Sequence, residues 1–139
     1  MIRIVTAAAA LLFSASLASA APFGLWLLPK GKGQVRVAEC GGELCATIVS
    51  LKKPNDKQGR PKVDRKNPDP AKRSRPLIGL SLLTGMKPEG EAWKGRVYNP
   101  DDGRTYYGSV TQDGEAKLRL QGCIVSGLLC KTQVLTRID

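Results

Sequence analysis

The chain has 139 residues, with 22 Lys and Arg against 12 Asp and Glu, a formal net charge of +10 and no histidine. That length and an ordinary hydrophobic content fit one globular domain. The missing histidine excludes Ser-His-Asp and Cys-His nucleophile pairs, His-ligated metals and haem, and histidine pH switches.

Residues 1–20 have the three-part layout of a secretory signal peptide. Arg3 supplies the charged start, Ile4 to Leu17 is mostly apolar, and Ala18-Ser19-Ala20 puts small residues at the cleavage positions. The apolar run falls short of the roughly 20 residues that a membrane span needs. No Cys follows the cleavage site, which argues against a lipoprotein. Cleavage near Ala20 is expected to release a single soluble domain, residues 21–139, into the periplasm or the medium.

From there the apolar period is closer to 2 than to 3.6. Leu25 to Leu28 opens the series, and Gln34 to Glu39 alternates. Cys45 to Leu51 is a more continuous β-branched run. Strands are then expected at 80–83, 92–98, 105–111, 116–121 and 132–138. Turn chemistry separates them at Gly41-Gly42, Pro88-Glu89-Gly90, Asp101-Asp102-Gly103 and Gln112-Asp113-Gly114. About eight short strands without an amphipathic helix predict an all-β, antiparallel up-and-down meander. Closing it into a small barrel removes its edges. In the late strand, Lys117 and Arg119 are expected outside and Leu118 and Leu120 inside.

The four cysteines all follow the leader, and an even count in a small exported domain reads as disulfides. Of the three possible pairings, hairpin geometry favours Cys40–Cys45 and Cys123–Cys130. The spacings C-x4-C and C-x6-C without histidine argue against zinc. No metal and no cofactor is expected.

One segment interrupts the meander. Residues 52–79 hold five prolines and ten basic residues against Asp56, Asp64 and Asp69, a net of +7. The rest of the domain is therefore nearly neutral. A loop of this length is uncommon in a compact domain unless it is functional or disordered. Its Lys and Arg suit a small anion or the anionic surface of a membrane. Arg75, beside Pro76 where the chain re-enters the barrel, is placed to pair with Asp64. Six aromatics after the leader are few for a base-stacking platform, so no nucleic-acid partner is expected.

The chain resembles DUF2147, a family of small exported bacterial proteins of unknown function. The resemblance rests on Gly24-Leu25-Trp26, on Gly42-Glu43-Leu44-Cys45-Ala46-Thr47-Ile48-Val49, and on Asp64, Asn67-Pro68 and Arg75 to Leu80. It continues through Gly95 to Tyr106, Leu118 to Gly122 and Thr136-Arg137. Where the family usually has Gly, this chain has Ala46. A further resemblance is to the lipocalin and calycin barrels, in which a Gly-x-Trp of the first strand packs under an Arg of the last. It implies that Gly24, Trp26 and Arg137 close the base of the barrel.

No catalytic constellation stands out. Tyr98 to Tyr106 is dense in polar residues, but Asn-Pro-Asp-Asp-Gly is strong turn chemistry. Ser50-x-x-Lys53 matches a Ser-x-x-Lys motif by chance, without the companion Ser-Asp-Asn and Lys-Thr-Gly motifs. The expectation is an exported binding protein, not an enzyme, for a small anionic or amphipathic ligand. The candidate contacts lie where loop meets barrel: Asp64, Asn67 and Arg75 from the loop, Tyr98, Asn99 and Tyr106 from the hairpin. The alternatives are an envelope interaction module that uses the 52–79 loop to hold another protein, and a histidine-independent enzyme.

Overall fold

A computed structural model of the protein describes residues 9–12, 21–124 and 129–139. The expected leader falls almost wholly outside the described residues, as does the middle of the Cys123–Cys130 loop. Eight strands follow in chain order: β1 (Gly24–Leu27), β2 (Gly33–Cys40), β3 (Glu43–Leu51), β4 (Leu83–Glu89), β5 (Ala92–Asn99), β6 (Arg104–Asp113), β7 (Lys117–Ile124) and β8 (Leu129–Arg137). They form one antiparallel sheet in the order β3-β2-β1-β8-β7-β6-β5-β4. The outer strands nearly meet. Residues 79–82, just before β4, bond to β3 through Gly79 N–H to the Ile48 carbonyl (2.7 Å), Ile48 N–H to Leu80 (3.1 Å) and Leu82 N–H to Ala46 (2.8 Å). The sheet thus curls into a nearly closed barrel.

Period-2 patterning accounts for the core. Val35 and Val37 of β2, Leu44, Ala46 and Ile48 of β3, and Val110, Leu118 and Leu135 are buried, while Arg36, Lys117 and Arg119 between them are exposed. The alternation fails in β4. There a register shift between Thr84 and Lys87 brings Met86, with no exposed surface, into the core beside Leu83. The strand therefore runs through Pro88 and Glu89, which the sequence reading assigned to a turn, and 80–82 is the closing crossover. The outer edge of the sheet tolerates Pro88 because no ladder bond is needed from it.

Both disulfides form, Cys40–Cys45 across the β2–β3 turn and Cys123–Cys130 between register partners of β7 and β8. Each ties the ends of a hairpin, which constrains the unfolded chain more than it shapes the folded one.

Antiparallel pairing sorts the connections to two ends. The base carries the approach to β1, the β2–β3, β4–β5 and β6–β7 turns and the C-terminus. The mouth carries the β1–β2 link, residues 52–82, the β5–β6 turn and the facing ends of β7 and β8. Between them Gly95, Gly108 and Gly122 are cross-strand partners, with Lys131 opposite Gly122. A Cβ at Gly95 would lie 2.6 Å from the Gly85 carbonyl oxygen, and one at Gly122 would lie 3.3 Å from the Tyr106 Cβ. The bulged backbone of β4 and the side chains of Val97 and Tyr106 fill the space above this row. Towards the base, buried Val110, Leu118, Leu135 and Trp26 fill the interior, and a cleft opens at the mouth.

Candidate functional site

At the base, Trp26 is fully buried and its indole N–H donates to the Pro22 carbonyl at 2.9 Å. The Arg137 guanidinium lies 4.3 Å from the indole centroid and donates to the carbonyls of Glu115 (2.7 Å), Phe23 (2.7 Å) and Ala21 (3.2 Å). Gly24 has φ +133, and a Cβ there would lie 2.7 Å from both the Arg137 Nη1 and an Asp139 carboxylate oxygen. Only glycine leaves room for that cover. These three residues close the base and face no cleft.

At the mouth, residues 52–79 form a folded lobe. Lys62 N–H bonds to the Pro54 carbonyl, Leu77 N–H to Lys62, and Asp64 N–H to Arg75 (2.8 Å), which closes one short loop and then a larger one. Asp69 caps a one-turn 3-10 helix by accepting from Ala71 N–H. The centre of the lobe is Asp64, with no exposed surface. Its carboxylate accepts from the Tyr98 hydroxyl (2.6 Å), Asn67 Nδ2 (2.9 Å) and Arg75 Nη2 (3.0 Å). Burial pushes this carboxyl up, but the three donors and the guanidinium charge outweigh it and hold it below its ordinary value of 3.8. The same contact works the other way on Tyr98, where burial first and the carboxylate second push the phenol up to about 12.

Four of the six candidate ligand contacts, Asp64, Asn67, Arg75 and Tyr98, thus come together and bond chiefly to one another. Asn99 is spent on its own turn, accepting from Asp101 N–H through its side chain and from Gly103 N–H through its carbonyl. Tyr106 lies apart from that cluster and donates to the Asp102 carboxylate. That bond, with burial second, raises its phenol too. A titration separates the two tyrosines. Ultraviolet titration of tyrosinate should show one step at about 12 that Tyr98→Phe removes, and titration of every tyrosine together near 10 would contradict the Asp64 contact. The neutral phenol is the form the fold prefers. Its contribution to stability is therefore present below 10 and lost as pH rises towards 12.

Tyr106 opens onto a cleft of about 560 Å³ at the mouth, lined also by Lys66, Asp101, Asp102, Arg104, Ile124, Leu129, Cys130 and Lys131. Ile124 and Leu129 are register partners, and Leu129 is 64 % exposed despite its size. Lys66 arrives from the lobe, two residues past Asp64, and its ammonium bonds the Asp101 carbonyl at 2.8 Å. The Asp64 cluster therefore positions Lys66 on the rim. Sequence reasoning missed Arg104, Ile124, Leu129 and Lys131. The available signal was parity: Lys131 shares the inward phase of Leu135 and Arg137.

The model of the DUF2147 family, described as an uncharacterized protein conserved in bacteria, matches residues 24–137. The chain belongs to the DUF2147 family. Among solved structures, protein HP1028 from the human pathogen Helicobacter pylori, described as belonging to the lipocalin family, superposes with a TM-score of 0.70 at 26 % identity. The match covers 84 % of this chain and 82 % of that one. No curated protein matches the sequence. This DUF2147 chain therefore has a lipocalin-like barrel. Its two disulfides are consistent with an exported protein, and among the described residues no helix is long and apolar enough to cross a membrane.

Proposed function

We propose that this DUF2147 protein is an exported, non-catalytic binding protein whose mouth cleft takes a small anionic amphipathic ligand. The cleft carries the reading. Tyr106, Ile124 and Leu129 offer apolar surface, and Lys66, Arg104 and Lys131 set three cations around it. Asp102 is already engaged by the Tyr106 hydroxyl and Lys66 by the Asp101 carbonyl, which leaves Arg104 and Lys131 as the cations to answer a carboxylate, sulfate or phosphate. The size of the cleft, about 560 Å³, suits a head group with a short apolar part. The buried carboxylate of Asp64 and the Tyr98 hydroxyl are turned inward on each other, which favours binding over catalysis.

Octanoate tests the reading. Amide resonances of residues 104, 106, 124, 129 and 131 should shift together on titration. Lys131→Ala should weaken binding by about 1.5 kcal/mol, roughly tenfold, the value of a charge-assisted contact. Native mass spectrometry of protein purified from its own cells should show a retained small molecule. An unchanged spectrum with octanoate and with octyl sulfate, and no co-purified mass, would overturn the proposal.

A further inference from the structure

The lobe spends its acids and keeps its cations. Asp64 is sealed inside, Asp56 accepts from the backbone of Gln58 and Arg60 and pairs with the Arg60 side chain, and Asp69 caps its own turn. Three further cations are also engaged: Lys66 on Asp101, Arg73 on the Asn67 carbonyl and Arg75 on Asp64. Lys52, Lys53, Lys57, Arg65 and Lys72 are exposed and make no side-chain hydrogen bond or ion pair among the described residues. A second segment adds to them. Lys52 N–H bonds the Lys32 carbonyl at 2.9 Å, so the exposed Lys30 and Lys32 of the β1–β2 link lie on the same end.

Folding like charges together costs self-repulsion, which a solvated, disordered loop would relieve. Here the charges are instead held in a fixed array by a buried carboxylate. Such an array is preorganised for a partner that carries repeated negative charge. The lobe contains no aromatic residue, which argues against stacking on nucleic-acid bases. It does expose aliphatic surface among the cations, with Ile78 45 % and Val63 37 % accessible. Cations surrounding a few exposed aliphatics suit an anionic lipid surface, where the charges meet head groups and the aliphatics meet the interface.

We infer that the 52–79 lobe, with Lys30 and Lys32, is a docking surface for anionic phospholipid, and that it brings the mouth of the barrel against the bilayer. The inference stands whether or not the cleft holds a ligand. Vesicle flotation tests it. The protein should float with vesicles of phosphatidylcholine mixed with phosphatidylglycerol, and stay behind with phosphatidylcholine alone. Binding should vanish at about 1 M salt, where the screening length falls to about 3 Å. Each of Lys52→Gln, Lys53→Gln, Lys57→Gln, Arg65→Gln and Lys72→Gln should lower the partition coefficient roughly five-fold. Lys87→Gln and Lys117→Gln, which remove the same charge towards the base, should leave it unchanged. Because the salt series uses the unaltered protein, a variant that misfolds does not decide the result. Equal flotation with both vesicles, no flotation with either, equal loss from the base variants, or single-stranded DNA captured at physiological salt while vesicles are not, would each overturn the inference.

Discussion

Replacing Asp64 by Ala should cost about 3 kcal/mol and open the lobe before the barrel unfolds. The side chain has no exposed surface and accepts from three donors on three parts of the chain. Truncating it leaves the Tyr98 hydroxyl and the Asn67 amide without their acceptor, the first of them on β5. Arg75 suffers least, because its side chain is 43 % exposed and can turn to water. Asp64→Asn should cost nearly as much, since its amide would present hydrogens to donors. Hydrogen exchange is the sharper measurement. The amides of Lys62, Asp64 and Leu77 should lose protection at denaturant concentrations where those of β2 and β7 keep theirs. A lobe that keeps its protection in Asp64→Ala would refute the anchoring role. Acid should reproduce part of the effect. The folded carboxyl titrates below the ordinary 3.8, so its contribution is complete above that value and disappears as pH falls through the lower, folded one. Asp64→Ala should lack that portion of the acid dependence.

Arg137→Ala should cost a similar amount, about 3 kcal/mol, and it should act on the barrel itself. The guanidinium covers an indole with no exposed surface and satisfies three carbonyls, two of them on the strap that leads into β1. Its own side chain is only 21 % exposed, so those carbonyls gain little water when it goes. Arg137→Lys distinguishes charge from shape. An ammonium can reach one or two of the carbonyls but cannot lie flat on the ring, so it should recover less than half of the loss. Chemical denaturation gives the stability. A red shift of the Trp26 fluorescence, isolated in a Trp93→Phe background, reports the lost cover. Full rescue by lysine would show that charge alone holds the base.

Much of the barrel is legible in the sequence because its cause is local. The alternation of Val35 and Val37 with Arg36, or of Leu118 with Lys117 and Arg119, states which face is wet. Gly-Gly between Cys40 and Cys45 states where the chain turns and which sulfurs meet. β4 resisted the same reading because its register shift breaks the period at the point where Met86 must enter the core. The lobe resisted it for another reason. Proline-rich, charged composition reads as a solvated loop, and what orders it is a handful of side-chain bonds to particular backbone groups, centred on Asp64. Pairing Asp64 with Arg75 and grouping them with Tyr98 was readable, and the direct bond from Tyr98, 34 residues away, required the fold. The cleft was the least legible part. Lys66, Arg104 and Lys131 are far apart in the chain: the lobe brings Lys66 to the rim, and the tilt and stagger of the sheet bring Arg104 and Lys131 there.

The glycine row has a consequence for how this pocket could change over generations or in the hands of a designer. Cavities in proteins usually deepen by trimming side chains, one large residue to a smaller one. The row has no side chains to trim at Gly95, Gly108 and Gly122, and a Cβ at these positions would meet the backbone of β4, Val97 or Tyr106. Space in this part of the barrel is therefore set by the path of the main chain, and point substitutions in the row can only obstruct. New specificity has to be written around the rim, where Lys66, Arg104, Leu129 and Lys131 can each be exchanged without disturbing the packed barrel beneath.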